Sequence, residues 1–173
     1  MVDLSRKAPD PSFHLAMSKT TRATAALDKA GVSYTVHTYD YDPDADHIGV
    51  HAAACLGVAP ETVLKTLMAQ VDGKPVCVIV PSDKEVSMKR LAAACGGKSA
   101  QMLRPADAER LTGYHVGGIS PFGQRKPVPT IIEVSALTHE AVFINGGQRG
   151  LQLCLSPEDA QAVLQAKAAP VVA

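Results

Sequence analysis

Two apolar runs meet at Asp72-Gly73, and no other feature of the chain restricts the fold so tightly. Asp-Gly between β-rich segments is the signature of a two-residue hairpin turn, whose positions require positive φ. Residues 63–80 therefore read as a β-hairpin, with Pro75 close after the turn. Side chains alternate along a strand. Val63, Lys65, Leu67, Ala69 and Val71 fall on one face, and Leu64, Thr66, Met68 and Gln70 on the other. Lys65 is thus the only charge on the more apolar face. A lysine held there has an anionic partner or a depressed pKa. Otherwise it lays its stem on the sheet and keeps its head in water.

The segments around the hairpin mix helix and strand. Residues 20–30 read as a helix with Ala23, Ala26, Leu27 and Ala30 on one face and Gly31 as its C-cap. Residues 33–39 are β-rich, and an alanine-rich helix over 47–56 ends at Gly57. A helix over 87–95 runs into Gly96-Gly97, 100–103 forms a short strand, and 105–111 a helix with Pro105 in its first turn. Strands follow at 130–134, 141–145 and 150–155. Ser156-Pro157 then starts a last helix that buries Val163 and Leu164. Residues 1–19 show no sustained period and contain Pro-Asp-Pro, which predicts an N-terminal extension. Residues 20–173 are expected to be one domain. Strands and helices intermix without regular βα alternation, which predicts an α+β fold with a mixed sheet.

With 173 residues, 46% hydrophobic and 20% charged, the chain is long and apolar enough for one globular core. No apolar run spans a bilayer, and the N-terminus lacks a signal-peptide layout, so a cytoplasmic protein with no membrane association is expected. Cys55, Cys77, Cys95 and Cys154 stand singly, without any C-x-x-C, and read as reduced structural thiols; Cys55 and Cys95 each follow three alanines, as core-filling residues would. Net charge is zero but unevenly placed. Residues 40–46 hold four Asp and no base, whereas 84–126 hold eight basic and three acidic side chains. Such a dipolar chain steers a polyanion towards its positive side, although basic residues are also ordinary solvated surface.

That basic segment leads into G-Y-H-V-G-G-I-S-P-F-G-Q-R-K-P-V-P-T-I-I-E, residues 113–133. Its paired glycines allow close backbone approach to a ligand, and Pro121, Pro127 and Pro129 stiffen the chain beyond them, so the loop reads as a binding loop held in one shape. Known constellations fail around it. Asp42, Asp44 and Asp46 have the spacing of a calcium loop, but His47 stands where Gly is required and Ala53 where the bidentate Glu belongs. His47 and His51 lack the Glu of H-E-x-x-H, so no metal is expected. Ser120 sits in no nucleophile elbow, because Phe122 replaces the second Gly. His115, without a partner in an apolar setting, reads as structural. No nucleophile–base pair can be assembled.

G-Y-x-V-G-G-I-S-P-F-G, P-T-I-I-E and G-G-Q-R-G-L, with H-T-Y at 37–39 and L-K-T-L at 64–67, closely resemble the YbaK family of aminoacyl-tRNA deacylases. That family is related to the editing domain of bacterial prolyl-tRNA synthetases, and the likeness covers residues 21–167. The resemblance implies a mixed β-sheet curled towards a barrel with helices outside. It implies hydrolysis of the ester of mischarged tRNA, most of all Cys-tRNA(Pro), without a protein nucleophile or cofactor. Lys65 falls on the family's principal side chain and, with Thr66, would be catalytic at the ester or the neighbouring phosphate and ribose. Gly117, Gly118, Ile119 and Ser120 match the family's backbone cradle, Tyr39 its pocket tyrosine and Arg149 the arginine of its G-G-x-R-G. Asn145 and Gln152 replace a Ser and an Asp of the family pattern near the amino-acid pocket, which bears on which amino acid is removed. The implied partners are the acceptor end of aminoacyl-tRNA and prolyl-tRNA synthetase. A deacylase for alanyl- or another small aminoacyl-tRNA, or a tRNA- or synthetase-binding module without catalysis, are the alternatives.

Overall fold

In the computed structural model of the protein the described residues are 20–173; the expected N-terminal extension, residues 1–19, lies outside them. The chain runs through Arg22–Ala30 (α1), Thr35–Thr38 (β1), Ile48–Leu56 (α2), Leu64–Val71 (β2), Lys74–Pro81 (β3), Met88–Ala94 (α3) and Ala100–Met102 (β4). It continues through Pro105–Thr112 (α4), Thr130–Glu133 (β5), Val142–Asn145 (β6), Leu151–Leu155 (β7), Pro157–Leu164 (α5) and Lys167–Ala169 (β8).

The hairpin forms as its turn residues dictate. Asp72 and Gly73 both take positive φ, and Val71 pairs with Lys74 across the turn. Caps end the helices where the residue types place them. Thr21 closes a capping box on α1, Ser87 and Ser156 accept amides of α3 and α5, and Gly31, Gly57 and Gly113 adopt the left-handed conformation. Ala30 is exposed, however, and Thr24 takes the buried place on α1 through its capping bonds to Thr21. Cys55 is exposed as well. Helix α2 is alanine-rich on every side, so spacing alone does not mark its buried face, which is formed by Ala52 and Ala53. Val163 and Leu164 are half-buried against the core.

Two sheets result. One has the order β4-β2-β3-β5-β8 and the other β1-β7-β6, and a single parallel bridge between Val63 and Phe143 joins them. The arrangement is α+β with mixed strand directions, but the two sheets do not close into a barrel. One core cluster packs Leu64 and Met68 of β2 with Leu27, Phe122, Ile144 and Leu153; a second packs Ala69 and Val71 with Val78, Leu91 and Val171. β2 is therefore covered on both faces.

The last strand, β8, pairs parallel with β5 and carries no β-pattern of its own. Buried Glu133 fastens the segment after it. Its carboxylate accepts the amides of Ser135 at 2.9 Å and Val171 at 3.0 Å, and the Ser135 hydroxyl also donates to it. Burial alone would raise its pKa, but together these bonds hold it below the ordinary 4.5. A depressed folded pKa stabilises above the unfolded value and ceases to do so as pH falls through the folded one. Glu133→Gln is expected to cost about 1–3 kcal/mol at neutral pH and to flatten the loss of stability below about pH 4.5. Urea unfolding of both proteins across pH 3–7 measures this, and parallel pH profiles would show that Glu133 is no fastener.

Candidate active site

The two sheets meet at the Val63–Phe143 bridge, and residues of both line a cavity of about 420 Å³. That is a volume suited to a small ligand. Lys65, Thr66, Tyr39, Gly117, Ile119, Asn145 and Gln152 all line it. They come from β2, the end of β1, the glycine loop, β6 and β7, so tertiary structure gathers residues that sequence leaves far apart.

Lys65 has the anionic partner that its position calls for. Its Nζ lies 3.4 Å from Glu85 Oε1, with the lysine side chain 24% exposed and the glutamate 76%. So loose and exposed a pair contributes little to stability, and a phosphate can displace it readily. Thr66 Oγ1 and Gln152 Oε1 are buried, without hydrogen-bond partners. Tyr39 is held up in pKa by burial, against the opposing effect of a hydrogen bond from Gln152.

Asn145 works as a clamp. Its Nδ2 donates to the carbonyls of Gln148 at 3.1 Å and Gly117 at 3.4 Å, and its Oδ1 accepts the Gly147 amide at 2.7 Å. One side chain thus ties the glycine loop to the β6–β7 turn. Gly117 has φ +90, and a Cβ there would lie 2.5 Å from the Tyr41 hydroxyl.

Gly118, Ser120 and Arg149 do not line the cavity. The Gly118 amide is spent on the His115 carbonyl at 2.8 Å, and a Cβ on Gly118 would lie 2.9 Å from the Arg149 amide nitrogen. It is a glycine of close packing. Ser120 is fully buried and accepts the Phe122 amide at 3.2 Å. Arg149 donates to the Val116 carbonyl at 3.0 Å and covers the Tyr41 ring. All three make hydrogen bonds within the fold. His115 is exposed and paired with Glu109 at 3.2 Å, so it is neither core nor unpartnered.

Other lining residues have weaker sequence signals. His47, Ile48 and Gly49 bring the first turn of α2 to the cavity, and His47 supplies no side-chain cap to the helix amides. A cap position without an acceptor was the available signal. Met102, Leu103, Val116 and Met68 add apolar wall. Met102 and Val116 are two of the three large hydrophobic residues exposed among the described residues. No cysteine lines the cavity, and the Ser82 hydroxyl is spent on the Pro60 carbonyl at 2.7 Å.

The sequence profile of the aminoacyl-tRNA editing domain matches residues 42–163. A candidate Cys-tRNA(Pro)/Cys-tRNA(Cys) deacylase of Enterococcus faecalis, EbsC, is 35% identical over 150 residues, which are 83% of this chain and 90% of that protein. The proline–tRNA ligase of Maridesulfovibrio salexigens is 32% identical over 95 residues, 55% of this chain but 16% of the ligase. The chain thus corresponds to a small part of that enzyme. Among solved structures, a candidate trans-editing enzyme for prolyl-tRNA synthetase superposes with a TM-score of 0.78 at 20% identity, over 96% of this chain and 99% of that one. This last likeness is one of fold. Among the described residues no helix is long and apolar enough to cross a membrane.

Proposed function

This chain belongs to the aminoacyl-tRNA editing domain family, and on that premise we propose that it is a trans-editing deacylase, cytoplasmic, that hydrolyses the ester of mischarged tRNA, foremost Cys-tRNA(Pro). Residues 20–173 act as one editing domain. The observation that carries the reading is the convergence of Lys65, Thr66, Tyr39, Gly117, Ile119, Asn145 and Gln152 on one cavity. Their roles are positional and electrostatic. Lys65 faces the phosphate or the negative charge that develops on the ester, and leaves Glu85 to do so. The glycine loop, held by Asn145, presents backbone to the ester. Prolyl-tRNA synthetase, which charges the tRNA to be cleared, is the natural partner.

The nucleophile comes from the substrate. The cavity holds no cysteine, and the Thr66 hydroxyl has no hydrogen-bonded base. In cysteinyl-tRNA the thiol, giving up its proton, attacks its own ester carbonyl. The new C–S bond forms as the C–O bond to the terminal ribose breaks, and the ribose hydroxyl leaves with a proton. Water then opens the cyclic thiolactone. A deacylase for alanyl- or another small aminoacyl-tRNA is the second reading, favoured by Asn145 and Gln152, neutral residues with nothing specific to a thiol. The test is a panel of aminoacyl-tRNAs incubated with the pure protein. Cysteinyl-tRNA(Pro) should be cleared fastest; a panel with no ester cleaved would reduce the chain to a binding module.

A further inference from the structure

Strand β2 is paired along its whole length on one edge and along only part of it on the other. β3 pairs with Leu64 to Val71, but β4 takes the opposite edge at Ala69–Val71 alone. In an antiparallel ladder the N–H and C=O of one residue point to the same edge, and successive residues alternate. The hydrogen bonds fix that parity. The Asp72 amide donates to Ser99 and the Met68 carbonyl accepts from Leu103 on the β4 side, while the Val63 carbonyl accepts from Ser82 on the β3 side. Even-numbered residues therefore address the β4 side. Between Met68 and the Val63–Phe143 bridge no strand is paired to that side, and Leu64 to Met68 all line the cavity. Thr66 sits in the middle of the gap. Among the described residues no strand is paired with it on that side. Two side-chain oxygens, Thr66 Oγ1 and Gln152 Oε1, are buried without partners in the same walls, and Gln152 is only 5% exposed. Buried polar groups left unpaired in a native fold call for a ligand to pair them.

Building on the reading that the substrate is an aminoacyl ester, we infer that the aminoacyl group docks on the open edge of β2 as a strand one residue long: its α-ammonium donates to the Thr66 carbonyl and its ester carbonyl accepts the Thr66 amide. An extended α-aminoacyl ester carries donor and acceptor on one side, as a strand residue does. It therefore completes the closed pair of bonds that one residue exchanges across an antiparallel ladder. The remaining ammonium hydrogens meet Gln152 Oε1 and Thr66 Oγ1. The amide on the ester oxygen also stabilises charge developing there. Recognition of the α-aminoacyl unit is thus written in the main chain, and the choice of amino acid falls to the walls. Handedness is set as well. Opposed strand residues project side chains to the same face. An L-acyl side chain lies on the side of Leu64, Thr66 and Met68, and a D-acyl side chain on that of Lys65 and Leu67.

The amino edge of the terminal adenine offers the same neighbouring donor and acceptor, and the substrates of the test separate the two sources. The L-cysteinyl ester of an acceptor-stem RNA is compared with its 3-mercaptopropionyl ester, which keeps the thiol but lacks the amine, with its D-cysteinyl ester, and with an L-cysteinyl ester ended by inosine. The desamino and D esters should each lose about ten-fold or more in kcat/KM; a smaller loss for either overturns the pairing. A loss confined to the inosine-ended ester assigns the edge to adenine and overturns it too. Thr66→Pro removes the amide from the open edge while odd-numbered residues keep the pairing with β3, a position where a strand tolerates proline. It should lose more activity than Thr66→Val, which keeps the amide, and equal losses would contradict the proposal. If Thr66→Pro does not fold, the ester series decides. Cleavage of none of these esters would count against the deacylase reading itself, a result distinct from all of these.

Discussion

Lys65→Ala should lower the single-turnover rate of deacylation by about 10²–10³-fold, the range seen when one stabiliser of developing charge is removed. Stability should hardly change. Among the described residues the only ion pair that Lys65 makes is with a largely exposed Glu85 at 3.4 Å, and such a pair contributes about 0–1 kcal/mol. Its methylene stem covers some apolar surface of β2, which alanine only partly replaces. Lys65→Arg sharpens the reading. It keeps the charge but replaces a compact, rotatable ammonium by a planar fork on a longer stem. Partial rescue by arginine identifies charge as the contribution, and failure to rescue identifies point-like placement. Turnover near wild type in Lys65→Ala, with the thermal midpoint unchanged, would remove Lys65 from the reaction.

Cysteinyl-tRNA should be cleared faster than seryl-tRNA on the same tRNA by about 10²-fold or more, because an intramolecular thiol at high effective concentration replaces an enzyme nucleophile. The two acyl groups differ by one atom, and the hydroxyl is far less nucleophilic at neutral pH. The first product detected by rapid quench and mass spectrometry should be the thiolactone. The protein's own thiols are placed to be spectators. Cys77 is buried, its pKa pushed up to about 12 by burial, and no cysteine reaches the cavity wall. A variant with Cys55, Cys95 and Cys154 as serine and Cys77 as alanine should keep the preference and the rate if it folds. Equal rates on the two tRNAs, or an acyl group trapped on any residue, would favour attack by water or by the protein instead.

Local chemistry made much of this fold readable in advance. Asp72-Gly73 specified the hairpin, and the caps at Thr21, Ser87 and Ser156 marked helix starts. Strand alternation placed Lys65 with Ala69 and Val71, where the second core cluster lies. What escaped was decided at a distance. Lys167–Ala169 has no β-pattern, and becomes a strand because β5 offers an edge. Cys55 looked like core because an alanine-rich helix has no distinctive face until a neighbour covers one. At the site, chain order marked the glycine loop but not the direction of its groups. Gly118, Ser120 and Arg149 turned out to be held by the His115 carbonyl, the Phe122 amide and the Val116 carbonyl, all partners within the fold. The cavity itself, beside a partly paired strand and lined from both sheets, has no counterpart in the sequence.

The pairing of β1 with β7 has a consequence for synthesis on the ribosome. Tyr39, at the end of β1, reaches the cavity alongside Gln152 of β7, and the Thr21 hydroxyl donates to the Gly146 carbonyl 125 residues further on. Chains emerge from the N-terminus first and fold in that order as far as their contacts permit. The β2–β3 hairpin, being local, can form while the chain is still growing, so Lys65 is in place for much of translation without a cavity around it. Only when residues 151–155 leave the exit tunnel can β7 join β1 to β6 and close the wall on which Gln152 stands. A chain truncated before that point therefore carries the lysine without the wall that completes the cavity.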